Sequence, residues 1–110
     1  YVDDLARASI FALEKWNPSN KNNPIDRNGN PLLFLNVGTG REISIMNLAE
    51  KIAEISNFKG EIIWDKSKPN GTPRKVLNIN KILDLGWKPE ISLDKGIRDT
   101  FRNLKNETLV

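Results

Sequence analysis

The chain has 110 residues, of which 38 % are hydrophobic and 28 % charged, and its formal net charge is +3. It contains neither cysteine nor histidine, which excludes disulfides, thiolate or imidazole metal sites, and the serine–histidine and cysteine–histidine catalytic centres. The length predicts one domain, and the absence of a long apolar stretch argues against a membrane protein. We expect a cytoplasmic protein with no metal site and no nucleic-acid partner, because a strong basic stripe is missing.

The first 31 residues predict a helix followed by a polar loop. Apolar residues recur at helical spacing over residues 2–16. Asp3 and Asp4 are interpreted as helix-start residues that complement the dipole, rather than as paired catalytic carboxylates. Asn17-Pro18 ends the helix, since a residue before proline is pushed out of the helical region. Residues 17–31 are predicted to be a polar loop that is mobile or variable.

Two short apolar runs predict strands. Residues 32–37 favour a buried strand, and residues 61–64 favour a second one. Gly38-Thr39-Gly40 follows the first run and is interpreted as a plain turn. It does not complete a dinucleotide fingerprint, because Ile43 stands where a third glycine would fall.

Three further helices are indicated by their caps. Ser44 predicts the N-cap of a helix with apolar residues up to Ile55. Asn78 or Asn80 caps a short helix that Gly86 closes at the C′ position. Ser92 caps the last helix. The order helix, strand, helix, strand, helix, helix indicates a small α/β domain, with about four helices on a small sheet.

Several polar and aromatic residues have two interpretations. Trp16, Trp64 and Trp87 could stack on a base, but each follows an apolar pattern and is predicted to make core or subdomain contacts. Arg41 and Glu42 precede the Ser44 cap and could reach a ligand, although we expect them to be solvated.

The most informative stretch is residues 65–75. After Asp65 it carries four cations and no anion, with prolines at two positions that stiffen the backbone and Gly71 to allow close approach. Such a loop suits phosphate, because arginine can fork onto two oxygens while lysine acts as a point charge. The alternative is an ordinary solvated loop.

Local patterns along the chain resemble a known superfamily. Residues 1–6 (Tyr-Val-Asp-Asp-Leu-Ala), 36–40 (Asn-Val-Gly-Thr-Gly) and 85–89 (Leu-Gly-Trp-Lys-Pro) resemble the extended short-chain dehydrogenases/reductases that act on nucleotide sugars. Residues 64–75 resemble more specifically the loop of the GDP-L-fucose synthase family. That family typically has aspartate where Asn70 stands.

The resemblance implies that residues 1–110 are a single C-terminal substrate-binding subdomain. The parent enzyme would make GDP-L-fucose from GDP-4-keto-6-deoxy-D-mannose with NADPH. NADP(H) and the catalytic residues would belong to an N-terminal Rossmann domain absent from this sequence, so the chain alone would not be catalytic. The implied partners are the GDP-sugar substrate, that Rossmann domain, and a second copy of the parent in a homodimer.

The predicted substrate-binding residues have two sources. By carry-over from the family, Asn70 occupies a substrate-contacting position. Lys68, Arg74 and Lys75 are candidates from their charge and position. Three alternatives stay open: the C-terminal domain of another nucleotide-sugar epimerase or dehydratase, a small basic module that binds nucleic acid, and a structural piece that docks on its parent without touching ligand.

Overall fold

The computed structural model describes residues 1–107, and in this range the secondary structure is helical. The helices are α1 (Val2–Lys15), α2 (Ile45–Ser56), α3 (Asn80–Asp84) and α4 (Leu93–Glu107). The prediction of about four helices is confirmed. Contacts group the chain into two compact units: unit 1 comprises residues 1–40 and 76–91, and unit 2 comprises residues 41–75 and the described residues from 92 onward. No described helix is long and apolar enough to span a bilayer.

Unit 1 is built on a small apolar core between α1, α3 and the segment after α3. Its buried side chains are Ala8, Ile79, Ile82 and Trp87, and partly buried Phe11, Leu35 and Val37 pack against them. The predicted core role is therefore confirmed for Trp87. Trp64, in unit 2, is 46 % exposed and is not a core residue, so a subdomain contact stays a prediction for that residue.

Helix α1 ends close to the predicted position. Trp16 leaves the helix in an extended conformation (φ −108°, ψ 120°), directly before Asn17-Pro18. At the other end, Asp3 and Asp4 lie in the first turn, where their charge complements the helix dipole. The acidic start and the proline stop are therefore enough to bound this helix.

The Asp4 carboxylate also holds a distant segment of unit 1. It is 5 % exposed and accepts hydrogen bonds from the backbone N–H of Glu90 (3.2 Å) and of Ile91 (2.9 Å). The Arg7 guanidinium pairs with Asp4 and also with the Glu90 carboxylate. Burial would raise the pKa of Asp4, but the Ile91, Arg7 and Glu90 hydrogen bonds outweigh it and the pKa is lowered. Asp4 is thus a link between α1 and residues 90–91, and not only a helix-start residue.

Helix α3 ends in a Schellman motif. The N–H of Gly86 donates to the carbonyl of Leu83 (2.8 Å), and the N–H of Trp87 donates to the carbonyl of Ile82 (3.2 Å). Gly86 has φ +106°, which confirms its predicted C′ position. At the start of α3 the cap residue is Ile79, while the Asn78 side chain accepts from the Asn80 N–H (3.0 Å).

The polar loop of residues 17–31 has internal structure. The Trp16 indole donates to Asn23, whose amide nitrogen donates to the Leu32 carbonyl (3.3 Å). One Asp26 oxygen accepts from the N–H groups of Asn28 (2.8 Å) and Asn30 (2.9 Å). Together with the backbone hydrogen bond from the Asp26 N–H to the Asn30 carbonyl (2.8 Å), these bonds give the loop a defined turn. Its variability between relatives stays a prediction.

Unit 2 contains α2 packed on α4. The predicted N-caps are both confirmed: Ser44 Oγ accepts from the Asn47 N–H (3.0 Å), and Ser92 Oγ accepts from the Lys95 N–H (3.2 Å). An ion pair between Lys51 and Asp94 (2.9 Å) links the two helices.

The two predicted strands are absent from the structure. Residues 32–37 and 61–64 form no strand, and within residues 1–107 the β-pairing is limited to one isolated bridge, Ile25 with Pro31. The prediction of an α/β domain with a small sheet was therefore wrong for the described part of the chain. A strand exists only when a neighbour completes its hydrogen-bond ladder. Phe34 (68 % exposed) and Ile63 (81 % exposed) lie in apolar runs without such a neighbour.

Replacing the buried carboxylate should destabilise unit 1. Asp4→Asn removes a charged acceptor of two backbone N–H groups, so we expect a loss of about 1–3 kcal/mol in the free energy of unfolding near pH 7. Because the folded-state pKa of Asp4 is lowered, its stabilisation is present above the unfolded value of about 3.9 and is lost as the pH falls through the folded value. The deficit of the variant should therefore shrink below about pH 4. Urea denaturation of the variant and the wild type over a pH series measures this difference in the free energy of unfolding.

The matched control is Asp3→Asn, which makes the same change at an exposed position of the same turn. It should cost only the helix-dipole contribution, about 0.3–1 kcal/mol. Equal losses for the two variants would contradict the role of Asp4.

Gly86→Ala should destabilise the end of α3 through backbone strain alone. A Cβ at this position meets nothing within 4 Å, but φ +106° is unfavourable for alanine. The expected loss is about 1–2 kcal/mol. Gly71→Ala, at an exposed site with equally open surroundings and no positive φ, should change stability by less than about 0.5 kcal/mol. Thermal melting compares the two, and an unaffected Gly86→Ala variant would rule out the strain.

Candidate functional site

The candidate site is the cationic loop, defined as residues 65–75 in unit 2. Every residue of this loop is exposed. It presents the cations Lys66, Lys68, Arg74 and Lys75 to solvent, as the sequence predicted. Exposed cations retain their hydration until an anion displaces it, so the loop is accessible to a phosphate-bearing ligand.

The loop begins in a turn built by Asp65. One Asp65 oxygen accepts from the N–H (2.9 Å) and from the hydroxyl (2.6 Å) of Ser67. The serine hydroxyl and then its N–H lower the pKa of Asp65, which keeps this carboxylate ionised. Asp65 thus stabilises the turn, and the cations follow directly after this ordered segment.

The loop ends at an ion pair with the start of α2. Arg74 Nε donates to Glu42 Oε1 at 2.6 Å, and the Glu42 hydrogen bond raises the pKa of Arg74. Glu42 lies two residues before Ser44, whose side chain caps α2. Glu42 is exposed, as expected, and it also makes this ion pair, which the sequence did not predict. The sequence offered no signal for this pair, because its members are 32 positions apart.

Between these two ends the loop is open. A Cβ at Gly71 would meet nothing within 4 Å, so a ligand can approach the backbone there. Within residues 1–106, no carboxylate comes within ion-pair distance of Lys68 or Lys75. The structure thus puts the predicted residues Asn70, Lys68, Arg74 and Lys75 on one exposed loop. Of these four, Arg74 has its side chain held by an ion pair.

Neither of two open cavities is lined by a residue of the cationic loop. A groove of about 330 Å³ in unit 1 lies between α1 and the Schellman segment and includes Phe11 and Trp87. A wider groove of about 740 Å³ runs along α4 in unit 2 and includes Arg98 and Phe101. Within the described residues, no three carboxylates form a group that could hold a metal ion.

Comparison with known proteins finds relatives over nearly the whole chain. The GDP-L-fucose synthase of Escherichia coli is 41 % identical over 107 residues, covering 93 % of this chain and 30 % of the relative. GDP-L-fucose synthase 1 of Arabidopsis thaliana is 38 % identical over 101 residues, covering 92 % of this chain and 27 % of the relative. No protein-family model matches the chain.

A further relative has a different name. A protein of Methanocaldococcus jannaschii, provisionally named a UDP-glucose 4-epimerase, is 38 % identical over 106 residues, which is 96 % of this chain. The chain spans less than a third of the length of the GDP-L-fucose synthases it matches. These matches confirm the resemblance that the motifs indicated.

Proposed function

Because the chain is homologous to the C-terminal portion of the GDP-L-fucose synthases, we propose that it binds the GDP part of a nucleotide-sugar substrate through the cationic loop. The parent enzyme would convert GDP-4-keto-6-deoxy-D-mannose to GDP-L-fucose with NADPH. The observation that carries the proposal is the exposed run of cations on a loop whose two ends are fixed, by the Asp65 turn and by the Arg74–Glu42 pair.

The loop chemistry matches a nucleoside diphosphate. Two neighbouring phosphates call for a forked donor and for point charges, which Arg74 and the exposed Lys68 and Lys75 provide. The side-chain amide of Asn70 can donate to and accept from a ribose hydroxyl or a base edge. Gly71 leaves room for the ligand beside the backbone. Each residue thus has a role that follows from its functional group.

The chemical steps would take place on residues outside this chain. It has no cysteine or histidine for proton transfer near neutral pH, and its Gly38-Thr39-Gly40 turn lacks a complete dinucleotide fingerprint. We therefore propose that NADP(H) and the catalytic groups belong to the rest of the parent protein, and that this chain supplies a wall of the substrate site.

One observation makes a UDP-sugar the second candidate substrate. The relative from Methanocaldococcus jannaschii is named after a UDP-sugar enzyme. A comparison of GDP with UDP discriminates between the two, because only the base differs while the diphosphate is shared. The nucleic-acid alternative is less favoured, since the cationic loop has no aromatic residue on which bases could stack.

Helix α1 suggests where the rest of the parent packs. Its buried side carries Ala8 and the partly buried Phe11, yet the opposite side carries Val2 and Leu13, which are 67 % and 88 % exposed. A helix that is apolar on opposite sides is typical of a buried position. The chain spans less than a third of the length of these relatives, so we propose that an additional domain, the Rossmann domain in this parent, covers the outer side of α1. A homodimer of the parent remains part of the proposal.

The first prediction for this function concerns GDP affinity. Arg74→Ala in the full-length protein should weaken GDP binding about ten- to a hundredfold, because a charge-assisted hydrogen bond contributes about 1.5–3 kcal/mol. Asn70→Ala should cost less, nearer the ~0.5–1.5 kcal/mol of a neutral hydrogen bond. Asn70→Asp, which restores the residue typical of the family, should be tolerated. Isothermal titration with GDP, and with UDP in parallel, measures these effects.

Lys59→Ala is the control for net charge, since it removes one exposed cation outside the loop. Its GDP affinity should equal that of the wild type. If Arg74→Ala, Lys68→Ala and Asn70→Ala all bind GDP normally while remaining folded, the loop is only a solvated charge run.

The second prediction concerns the outer side of α1. Leu13 is 88 % exposed here, so Leu13→Lys would be harmless if this surface stayed in water. If the rest of the parent covers it, the variant should destabilise the full-length protein by about 1.5–3 kcal/mol, the burial energy of a leucine side chain. Glu14→Gln, the adjacent exposed position, should have little effect. Thermal melting of the full-length protein distinguishes the cases, and an unchanged Leu13→Lys variant would argue against coverage.

A further inference from the structure

We propose that Glu42 is a positioning residue for ligand binding: it holds the Nε side of the Arg74 guanidinium, so that the two terminal nitrogens meet the diphosphate in a fixed orientation. The inference rests on the proposed function of the cationic loop, and it adds a residue that the motifs did not indicate. Glu42 would act through Arg74 and would not itself touch the ligand.

The geometry of the pair leaves the terminal nitrogens of the Arg74 guanidinium available for a ligand. Glu42 Oε1 accepts from Nε at 2.6 Å, which occupies one of the five N–H donors of arginine. Among the side chains of residues 1–106, Glu42 is the carboxylate that pairs with Arg74. The terminal Nη1 and Nη2 groups can therefore still form a forked contact with phosphate oxygens.

Stability alone does not account for this pair. The Arg74 side chain is 73 % exposed and that of Glu42 is 48 % exposed, and exposed ion pairs typically stabilise a fold very little. Its effect is instead on orientation. Arg74 follows the stiff backbone of Pro73, and Glu42 lies next to the capped start of α2. The pair therefore ties a long, rotamer-rich side chain to an ordered helix.

Two possible roles of Glu42 predict opposite changes in GDP affinity when its side chain is removed. If Glu42 merely occupied Arg74 and repelled anions, its removal would strengthen GDP binding. If Glu42 positions Arg74, its removal leaves the guanidinium to be ordered by the ligand, and binding weakens. Ordering one such side chain corresponds to a loss of about three- to tenfold in affinity.

The test compares Glu42→Ala with Glu42→Gln in the full-length protein, with GDP as the probe. Both variants lose the charge, but only glutamine keeps an oxygen that can accept from Nε. We expect about three- to tenfold weaker GDP binding for Glu42→Ala and a smaller loss for Glu42→Gln. In an Arg74→Ala background, Glu42→Ala should cause no further loss. Melting temperatures should be unchanged, because the pair is exposed.

Asp94→Ala is the matched control. It removes the carboxylate of another exposed ion pair in unit 2, with Lys51, and should leave GDP affinity unchanged. If Arg74→Ala weakens binding while Glu42→Ala binds GDP as well as or better than the wild type, the positioning role is overturned and the proposed function stands. If Arg74→Ala itself binds normally, the positioning role is overturned as well, and the proposed function fails only if Lys68→Ala and Asn70→Ala also bind GDP normally. Should Glu42→Ala not fold, Glu42→Leu, which also lacks an acceptor for Nε, decides: weaker binding supports the role, and unchanged or tighter binding overturns it.

Discussion

The buried carboxylate of Asp4 is the interaction on which unit 1 depends most. The core there is small, and its fully buried members include an alanine, so apolar burial alone fixes the chain weakly. Hydrogen bonds to a charged group are directional as well as strong. By accepting from the N–H groups of Glu90 and Ile91, Asp4 determines where the chain returns to α1 after α3. The packing of Trp87 follows from that return, because Trp87 lies between the Schellman motif and the Asp4 contact.

The helices could be predicted from the sequence because their ends are encoded locally. Ser44 and Ser92 accept from N–H groups three residues later, and Gly86 provides the positive φ that closes α3. Each signal lies within one helical turn of the structure it determines. The strands could not be predicted in the same way. An apolar run such as residues 32–37 has the same pattern whether or not a neighbour completes its ladder, and the neighbour is a non-local property.

The candidate site likewise has features that the sequence predicted and features that it could not predict. The loop's cations, prolines and glycine could be read from residues 65–75 alone, and the structure has them exposed on one loop. The Arg74–Glu42 pair could not be read, because two exposed polar residues 32 positions apart leave no periodic pattern. The contacts of Asp4 in unit 1 could not be predicted for the same reason. Its place at the start of α1 explains a charge there, but nothing local indicates partners 86 and 87 positions later.

The cationic loop therefore owes its shape to polar contacts at its two ends rather than to a core. Its start is the Asp65–Ser67 turn, and its end is tied through Glu42 to the residues that begin α2. The Ser44 cap orders that beginning with a hydrogen bond inside the helix itself. Such contacts do not require extensive apolar burial, which suits a surface that must remain hydrated until a ligand arrives. A loop ordered before binding loses less conformational freedom on binding, so more of the phosphate interaction contributes to affinity.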